Sequence, residues 1–336
     1  MNPFLKKLTE LDGVSGNEQN VRRALIAELE GKIEYTVDRI GNLYAHSTGY
    51  FPNDIKLMLT AHMDEVGFMI THITKDGYLK FQTVGGIDDR ILPGKAVLVG
   101  TKKICGVIGS LAIHLQSKTQ REQITEVKDL CIDIGAKSRE QAEKYVSVGD
   151  LAVFSAPSDD LGELIRGKAL DDRAGCSILV DLLKDLPEAN FTAVFTTREE
   201  VGCYGAMAAT QAVKPKYAIV LEGTTASDVG ETDEVDQVCA VGKGPVLSFM
   251  DNGAIYDRKL LDLACKVARR EGIPYQIKQA VAGGNEAGRI QKIGNGCYVL
   301  AISLPCRYIH GPVSVASEKD MEAMKKLAAA IIRELK

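Results

Sequence analysis

Hydrophobic and polar positions along the chain change their spacing three times. Residues 17–30, NEQNVRRALIAELE, place Val21, Leu25, Ile26 and Leu29 on one face of a helix, with Ser15 or Asn17 as its candidate cap. The apolar run Ile55–Thr60 reads as a buried strand. From about 69 to 160 the runs are short and alternating: HITKDGYLKFQTV, LPGKAVLVGTKKICGVIGSLA and VGDLAVFSAP, split by turn signals. Asp76-Gly77 marks a hairpin, after which Leu79 and Phe81 alternate with Lys80 and Gln82 as in a half-buried strand. Beyond Leu161 strand and helix patterns alternate. Helices are expected at Cys176–Leu183, Gly205–Ala212 and Leu260–Arg270, and strands at Phe191–Thr197, Tyr217–Leu221 and Cys297–Ser303. A terminal amphipathic helix, Asp320–Leu335, carries Met321, Met324, Leu327 and Ile331.

Strands that alternate with helices predict an α/β/α sandwich around a mostly parallel central sheet. The early strand needs the same sheet. The β-rich block is therefore an insertion, and the expected division is 1–68 and 161–336 for the α/β domain, with 69–160 as a small barrel-like domain.

Composition narrows the classes. A chain of 336 residues is about twice the length of one typical domain. Its 45% hydrophobic and 26% charged residues are ordinary for a globular protein. A net charge of −4 argues against a nucleic-acid partner. The longest stretches without Asp, Glu, Lys or Arg, such as Ile293–Cys306, are 14 residues, short of the roughly 20 that a membrane helix needs. The opening MNPFLKKLTELDG has no apolar signal core. Eight cysteines without a CxxC pair read as mostly buried free thiols in a reducing cytoplasm. No membrane association and a cytoplasmic location are the resulting expectations.

The chemistry lies where apolar strands end. Ile55–Thr60 runs into His62-Met63-Asp64-Glu65, Phe191–Thr197 into Arg198-Glu199-Glu200, and Tyr217–Leu221 into Glu222. The last strand is followed by Arg307-Tyr308-Ile309-His310, and Asp171-Asp172 leads straight into a helix. Ligands of open α/β sheets gather beyond the carboxyl ends of the strands, so His62, Asp171, Glu200, Glu222 and His310 can converge. Imidazole and carboxylate donors suit zinc, cobalt or manganese. With Asp171 bridging two divalent ions, three carboxylates leave a net charge of +1, which acidifies a bound water. Glu199 is then left over as a proton acceptor and donor, and Asp64 can hold the His62 ring in its tautomer.

Each piece also has a plainer reading. Glu199-Glu200 alone is a common solvated pair, Asp171-Asp172 alone a helix cap, and a single His at a strand end is usually structural. His46 and His72 lie in turn or ribbon text, and His114 in the inserted block reads as structural. Cys176 and Cys265 fall on apolar helix faces. Gly283–Gly288, GGNEAG, lacks the Lys-Ser/Thr ending of a phosphate loop and reads as a tight strand-to-helix turn lining the site.

Taken together, LDGVSGNE at the start, DRIGNL (38–43), AHMDEVG (61–67), KALDDRAG (168–175), TTREEVG (196–202), GGNEAG (283–288) and CRYIHGPVSV (306–315) make a specific combination. Over nearly its whole length the chain resembles the tetrahedral aminopeptidases, the glutamyl-aminopeptidase-like and cellulase-M-like dinuclear metallopeptidases. The resemblance implies that His62, Asp171, Glu200, Glu222 and His310 hold two divalent ions, zinc or cobalt by preference. It makes Asp171 the bridge, with a cis peptide to Asp172, and makes Glu199 the general base with Asp64 behind His62. It implies cleavage of N-terminal residues from short peptides, and a homo-oligomer in which the inserted domain makes dimers and dimers build a dodecamer. Glu222 and Glu286 stand where the family more often has Asp.

A metal-dependent carboxypeptidase or amide deacylase would use the same site. A glycoside hydrolase would want a sugar-binding aromatic surface, and the chain has no Trp and only 6% aromatic residues. A non-catalytic assembly subunit has no need of the complete ligand set.

Overall fold

The computed structural model describes residues 1–31, 33–46, 57–233 and 236–335. Its main sheet has eight strands: β1 (Glu34–Val37), β2 (Leu43–His46), β3 (Leu57–His62), β4 (Thr192–Thr196), β5 (Tyr217–Thr225), β6 (Val246–Leu247), β7 (Gln276–Ile277) and β8 (Tyr298–Cys306). They lie in the order β1-β2-β4-β3-β5-β8-β6-β7. The central four, β4-β3-β5-β8, are all parallel. Antiparallel pairing is confined to the outer strands, so "mostly parallel" describes the centre. The expected first residues of β3, Ile55 and Lys56, lie outside the described residues.

Every central strand is apolar on both faces, as a sheet covered on two sides requires. Leu57, Leu59 and Ala61 of β3, Phe195 of β4, Ile219 and Leu221 of β5, and Leu300 and Ile302 of β8 share one core. That core is covered by α1 (Pro3–Glu10), α2 (Gln19–Leu29), α3 (Leu170–Asp185), α5 (Arg258–Glu271) and α7 (Glu318–Glu334). The residues between them, Met58, Val194, Ala218, Val220, Val299 and Ala301, pack with Ala206 and Ala209 of α4 (Tyr204–Val213) and with Ala287 and Ile290 of α6 (Ala287–Ile290). The α/β/α sandwich is therefore present. The cap expected for α2 is not: its N-cap is Glu18, without a side-chain cap bond. Ser15 is drawn away because its hydroxyl donates to Asp64 Oδ2 at 2.6 Å.

Six further strands close a barrel in the order Gly67–Ile73, Leu79–Val84, Cys131–Asp133, Ile104–Gly109, Ala96–Val99 and Leu151–Phe154. The barrel has a core of its own, where Phe68 meets Phe81 and Phe154 edge-to-face at 5.2 and 5.0 Å. The Asp76-Gly77 turn joins the first two strands, and the alternation across Leu79–Gln82 holds. A three-stranded sheet of Asp159–Leu161, Leu164–Gly167 and Ser314–Ala316 borders the main domain.

All eight cysteines are free, but only Cys176, Cys239, Cys265 and Cys306 are buried, and Cys105 is exposed. The expectation of mostly buried thiols is thus corrected, since half of them sit on turns and barrel strands near solvent. Among the described residues no helix is long and apolar enough to cross a membrane.

Candidate active site

Strand register places the first two acidic and imidazole groups. β3 and β5 pair with Val220 opposite Thr60. Two residues further along each strand come His62 and Glu222, on the same face by the period of two. His62 Nε2 lies 3.2 Å from Glu222 Oε1 and 3.3 Å from Asp171 Oδ1. β4 pairs Thr196 with His62, so the turn after β4 carries Glu199 and Glu200 to the same strand ends. From the loop after β8, His310 Nε2 reaches Asp171 Oδ2 at 3.4 Å and Glu200 Oε2 at 3.3 Å. The two oxygens of Asp171 thus face two separate imidazole–carboxylate pairs. A cis peptide joins Asp171 to Asp172, and Asp172 accepts from the amides of His62 (3.2 Å) and Gly175 (2.9 Å).

Asp64 faces the His62 ring and also the main chain. Its oxygens accept from the amides of Glu199 (2.9 Å) and Glu200 (3.1 Å). His62 Nδ1 is 3.1 Å from the Asp64 carbonyl and 3.5 Å from its carboxylate. Glu199 Oε1 accepts from the Cys203 thiol at 3.2 Å.

Several supporting groups escaped the sequence reading, although most lie inside the motif strings. Asn42 donates to Gly205 O and Asp38, and its Oδ1 accepts from Thr197 N and Oγ1. It clamps both ends of the turn that bears Glu199 and Glu200. Gly205 is required there, because a Cβ would meet Thr197 O at 2.3 Å. Gly223 is required for the same reason: its amide donates to Asp171 Oδ1, and a Cβ would meet Asp171 at 2.8 Å. Below the site, Glu65 accepts from Lys168 and Arg173, and Arg173 also donates to Met63 O. This buried network fixes the segment that follows His62. Glu286 is fully buried, and among the described residues neither oxygen has a hydrogen-bond partner. Three further histidines lie outside the cluster: His72 is exposed beside Arg139, His46 faces the Thr192 hydroxyl, and His114 is exposed on a short turn.

The electrostatics describe a buried cluster of carboxylates and imidazoles that shift one another. Burial raises Glu222 well above the usual carboxylate range, aided by Asp171, and raises Glu200 to about 8. Burial opposes charge on both imidazoles. The surrounding carboxylates outweigh it, lifting His62 well above the ordinary value and His310 to about 9. Asp171 is also pushed up by burial, but its bonds to His310 and His62 hold it well below the usual range. Burial raises Glu199, and raises Glu286 to about 7. Donor atoms of His62, Asp171 and Glu200 lie within 4.8 Å of one another, as do those of His62, Asp172 and Glu222. Glu222 Oε2 is buried without a hydrogen-bond partner among the described residues. An orphaned oxygen amid oxygen and nitrogen donors fits a divalent cation.

The cluster opens into a cavity of about 190 Å³, lined by Asp171, Glu199, Glu222 and His310 together with Lys278 and Ala282–Asn285. The GGNEAG segment is thus the expected turn at the site wall. A wider cleft of about 580 Å³ lies over β1 and β2, lined by Asp38, Tyr44 and His46. It lacks converging carboxylates and imidazoles, so the chemistry belongs to the smaller cavity.

An α/β sandwich with a His–carboxylate cluster at its strand ends defines a metal-dependent hydrolase. The model of one family, M42 glutamyl aminopeptidase, matches residues 41–327, and the chain belongs to that family. It is therefore an aminopeptidase of the metallopeptidase kind that uses divalent metal. A lysyl aminopeptidase of Pyrococcus furiosus is 33% identical over 99% of this chain and 97% of its own. A glutamyl aminopeptidase of Lactococcus lactis is 30% identical over 98% and 95%. The structure of the TET1 peptidase of Pyrococcus horikoshii, which can assemble into a tetrahedron or a large octahedral shell, superposes with a TM-score of 0.86 at 36% identity, covering 97% of each chain.

Proposed function

We propose that the chain removes N-terminal residues from short peptides at a dinuclear site, with Glu199 as general base. The observation that carries this reading is the division of Asp171, one oxygen to His62 and Glu222 and the other to His310 and Glu200. The donor set contains no thiolate and suits zinc or cobalt. Two such ions, when bound, supply Lewis acidity and lower the pKa of a water. Glu199 lines the cavity beside that set and holds no imidazole. It takes the proton of the attacking water and delivers it to the departing amine. Asp64 keeps it in place through its amide, and Cys203 through its carboxylate.

Glu199→Gln is expected to keep two ions per chain and to lose at least about a hundredfold in turnover on aminoacyl chromogenic substrates, the scale of general-base loss. Loss of metal, or near-normal turnover, would overturn the assignment. Acetylating the peptide N-terminus should abolish turnover by an aminopeptidase and spare a deacylase. The barrel is the part of the chain through which a homo-oligomer would form, and a monomer mass by light scattering would remove that part of the reading.

A further inference from the structure

The family leaves the charge of the preferred N-terminal residue open, since its members include both a lysyl and a glutamyl enzyme. One side chain at the cavity wall bears on that choice. Lys278 follows β7, with its amide bonded to Leu247 O at 3.0 Å. The residue is only 8% exposed. Its Nζ donates to Ala282 O at 2.7 Å, and Ala282 lines the same cavity. Among the described residues no carboxylate lies within 4.0 Å of Nζ. Asp251 attracts it most, but the oxygens of Asp251 already accept from the amides of Gly253 and Ala254 and from the Tyr256 hydroxyl. Glu222 attracts it also, but that carboxylate faces His62 and belongs to the metal cluster.

A nearly buried ammonium without a paired anion is costly. A single carbonyl uses one of its three hydrogens. Holding the Ala282–Asn285 loop would need only a neutral donor, so the loop does not account for the charge. A charge that arrives with the ligand does. An exopeptidase working from the N-terminus needs a closed compartment for one residue beside the reacting carbonyl and an open side for the rest of the peptide. Lys278 and the Ala282–Asn285 loop line the same cavity as Asp171 and His310.

We propose that Lys278 receives a carboxylate of the substrate, that of an N-terminal Glu or Asp side chain, and so makes this enzyme selective for acidic N-terminal residues. This rests on the aminopeptidase reading above. The C-terminal carboxylate of a very short peptide offers the same chemistry and is separated from the side chain by the test.

The test measures kcat/KM on glutamyl, aspartyl, leucyl and lysyl p-nitroanilides, and on Glu-Ala and Leu-Ala as free acids and as C-terminal amides, for the wild-type metal-loaded enzyme and for Lys278→Met and Lys278→Arg. The wild type should favour glutamyl over leucyl and lysyl substrates. Lys278→Met should lose about ten- to a hundredfold on the acidic substrates, the range of one hydrogen bond to a charged group, and little on leucyl. Lys278→Arg should keep the acidic preference, which separates charge from misfolding. As a readout independent of turnover, calorimetry of the metal-loaded Glu199→Gln protein should show glutamate binding that weakens when Lys278→Met is added, with leucine binding unchanged. A wild type that prefers leucyl or lysyl substrates overturns the proposal and leaves the aminopeptidase reading intact. So does a Lys278→Met loss that follows the C-terminal carboxylate. Absence of hydrolysis on every aminoacyl substrate by the metal-loaded wild type would instead overturn the reading beneath it.

Discussion

The two halves of the cluster share Asp171 and are held in different ways. His62 ends β3 and Glu222 lies within the adjacent parallel strand β5, with side chains 1% and 7% exposed. His310 is 36% exposed, on a loop where both Tyr308 and His310 take φ of 60°. Beneath His62 lies the Glu65–Lys168–Arg173 network, whereas His310 is fixed mainly by its own cluster partners. One half is built by the sheet and the other by loops laid over it. In such a pair the buried half sets the architecture, and the open half meets solvent and substrate.

The sharpest way to break that comparison is to remove each imidazole. His62→Ala and His310→Ala should each retain one ion per chain by elemental analysis, and two ions in either variant would remove that residue from the ligand set. The stabilities should differ. His62→Ala leaves Glu222 buried without its imidazole partner and Asp171 with only one of its two, and should cost the metal-free protein about 3 kcal/mol. His310→Ala, at a third exposed, should cost less than about 1 kcal/mol. Equal losses in a denaturant titration would mean that the two halves are supported alike.

Protons sharpen the same contrast. Ligands bind metal only when deprotonated, and in the metal-free protein Asp171 and Glu200 raise His310 to about 9 while burial raises Glu200 to about 8. Both values are raised, so protons compete with the ion at neutral pH and leave as pH climbs through that window. Affinity at this half should therefore fall as pH drops below about 8, by up to about a hundredfold per unit where two protons are displaced. Calorimetry in buffers of different ionisation enthalpy should show about two protons released per ion at pH 7 when the His310 half fills. Uptake with no proton release would show that these groups are already ionised and carry no such competition.

The half built by strands was the easier one to read in the sequence. An apolar run that ends in His62 or Glu222 carries its own address, because strand period and parallel register bring such ends together. The alternating hairpin at Asp76-Gly77 disclosed the β-rich block for the same reason. Less legible was everything that acts through hydrogen bonds to main chain. Asn42 looks like a turn residue until its three bonds across the Thr197–Gly205 turn are seen. Asp64 reads as a partner for the His62 ring, and nothing in the sequence says that it also holds the amides of Glu199 and Glu200. Ser15 was expected to cap a helix and instead serves Asp64. Lys278 follows a two-residue strand in a polar stretch, where no periodicity marks it as a wall of the site.

The smallest expected effect concerns the group between the two halves. Glu199 lies beside Glu200 in sequence, and its carboxylate accepts from the Cys203 thiol at 3.2 Å. Burial, with Glu199 beside it, pushes that thiol well above its ordinary range, so it remains a donor. Cys203 adopts φ 60° at the start of α4, which aims its side chain back across the turn at Glu199. A hydrogen bond of this kind contributes about 1 kcal/mol. Cys203→Ala should thus lower kcat about three- to tenfold while metal content and KM stay unchanged, because no ligand and no cavity wall is lost. Cys203→Ser restores a donor and should recover most of that loss. If both variants fall equally, or if the loss appears in KM, the thiol is packing rather than orienting the base. Glu199 would then be held through its amide by Asp64 alone.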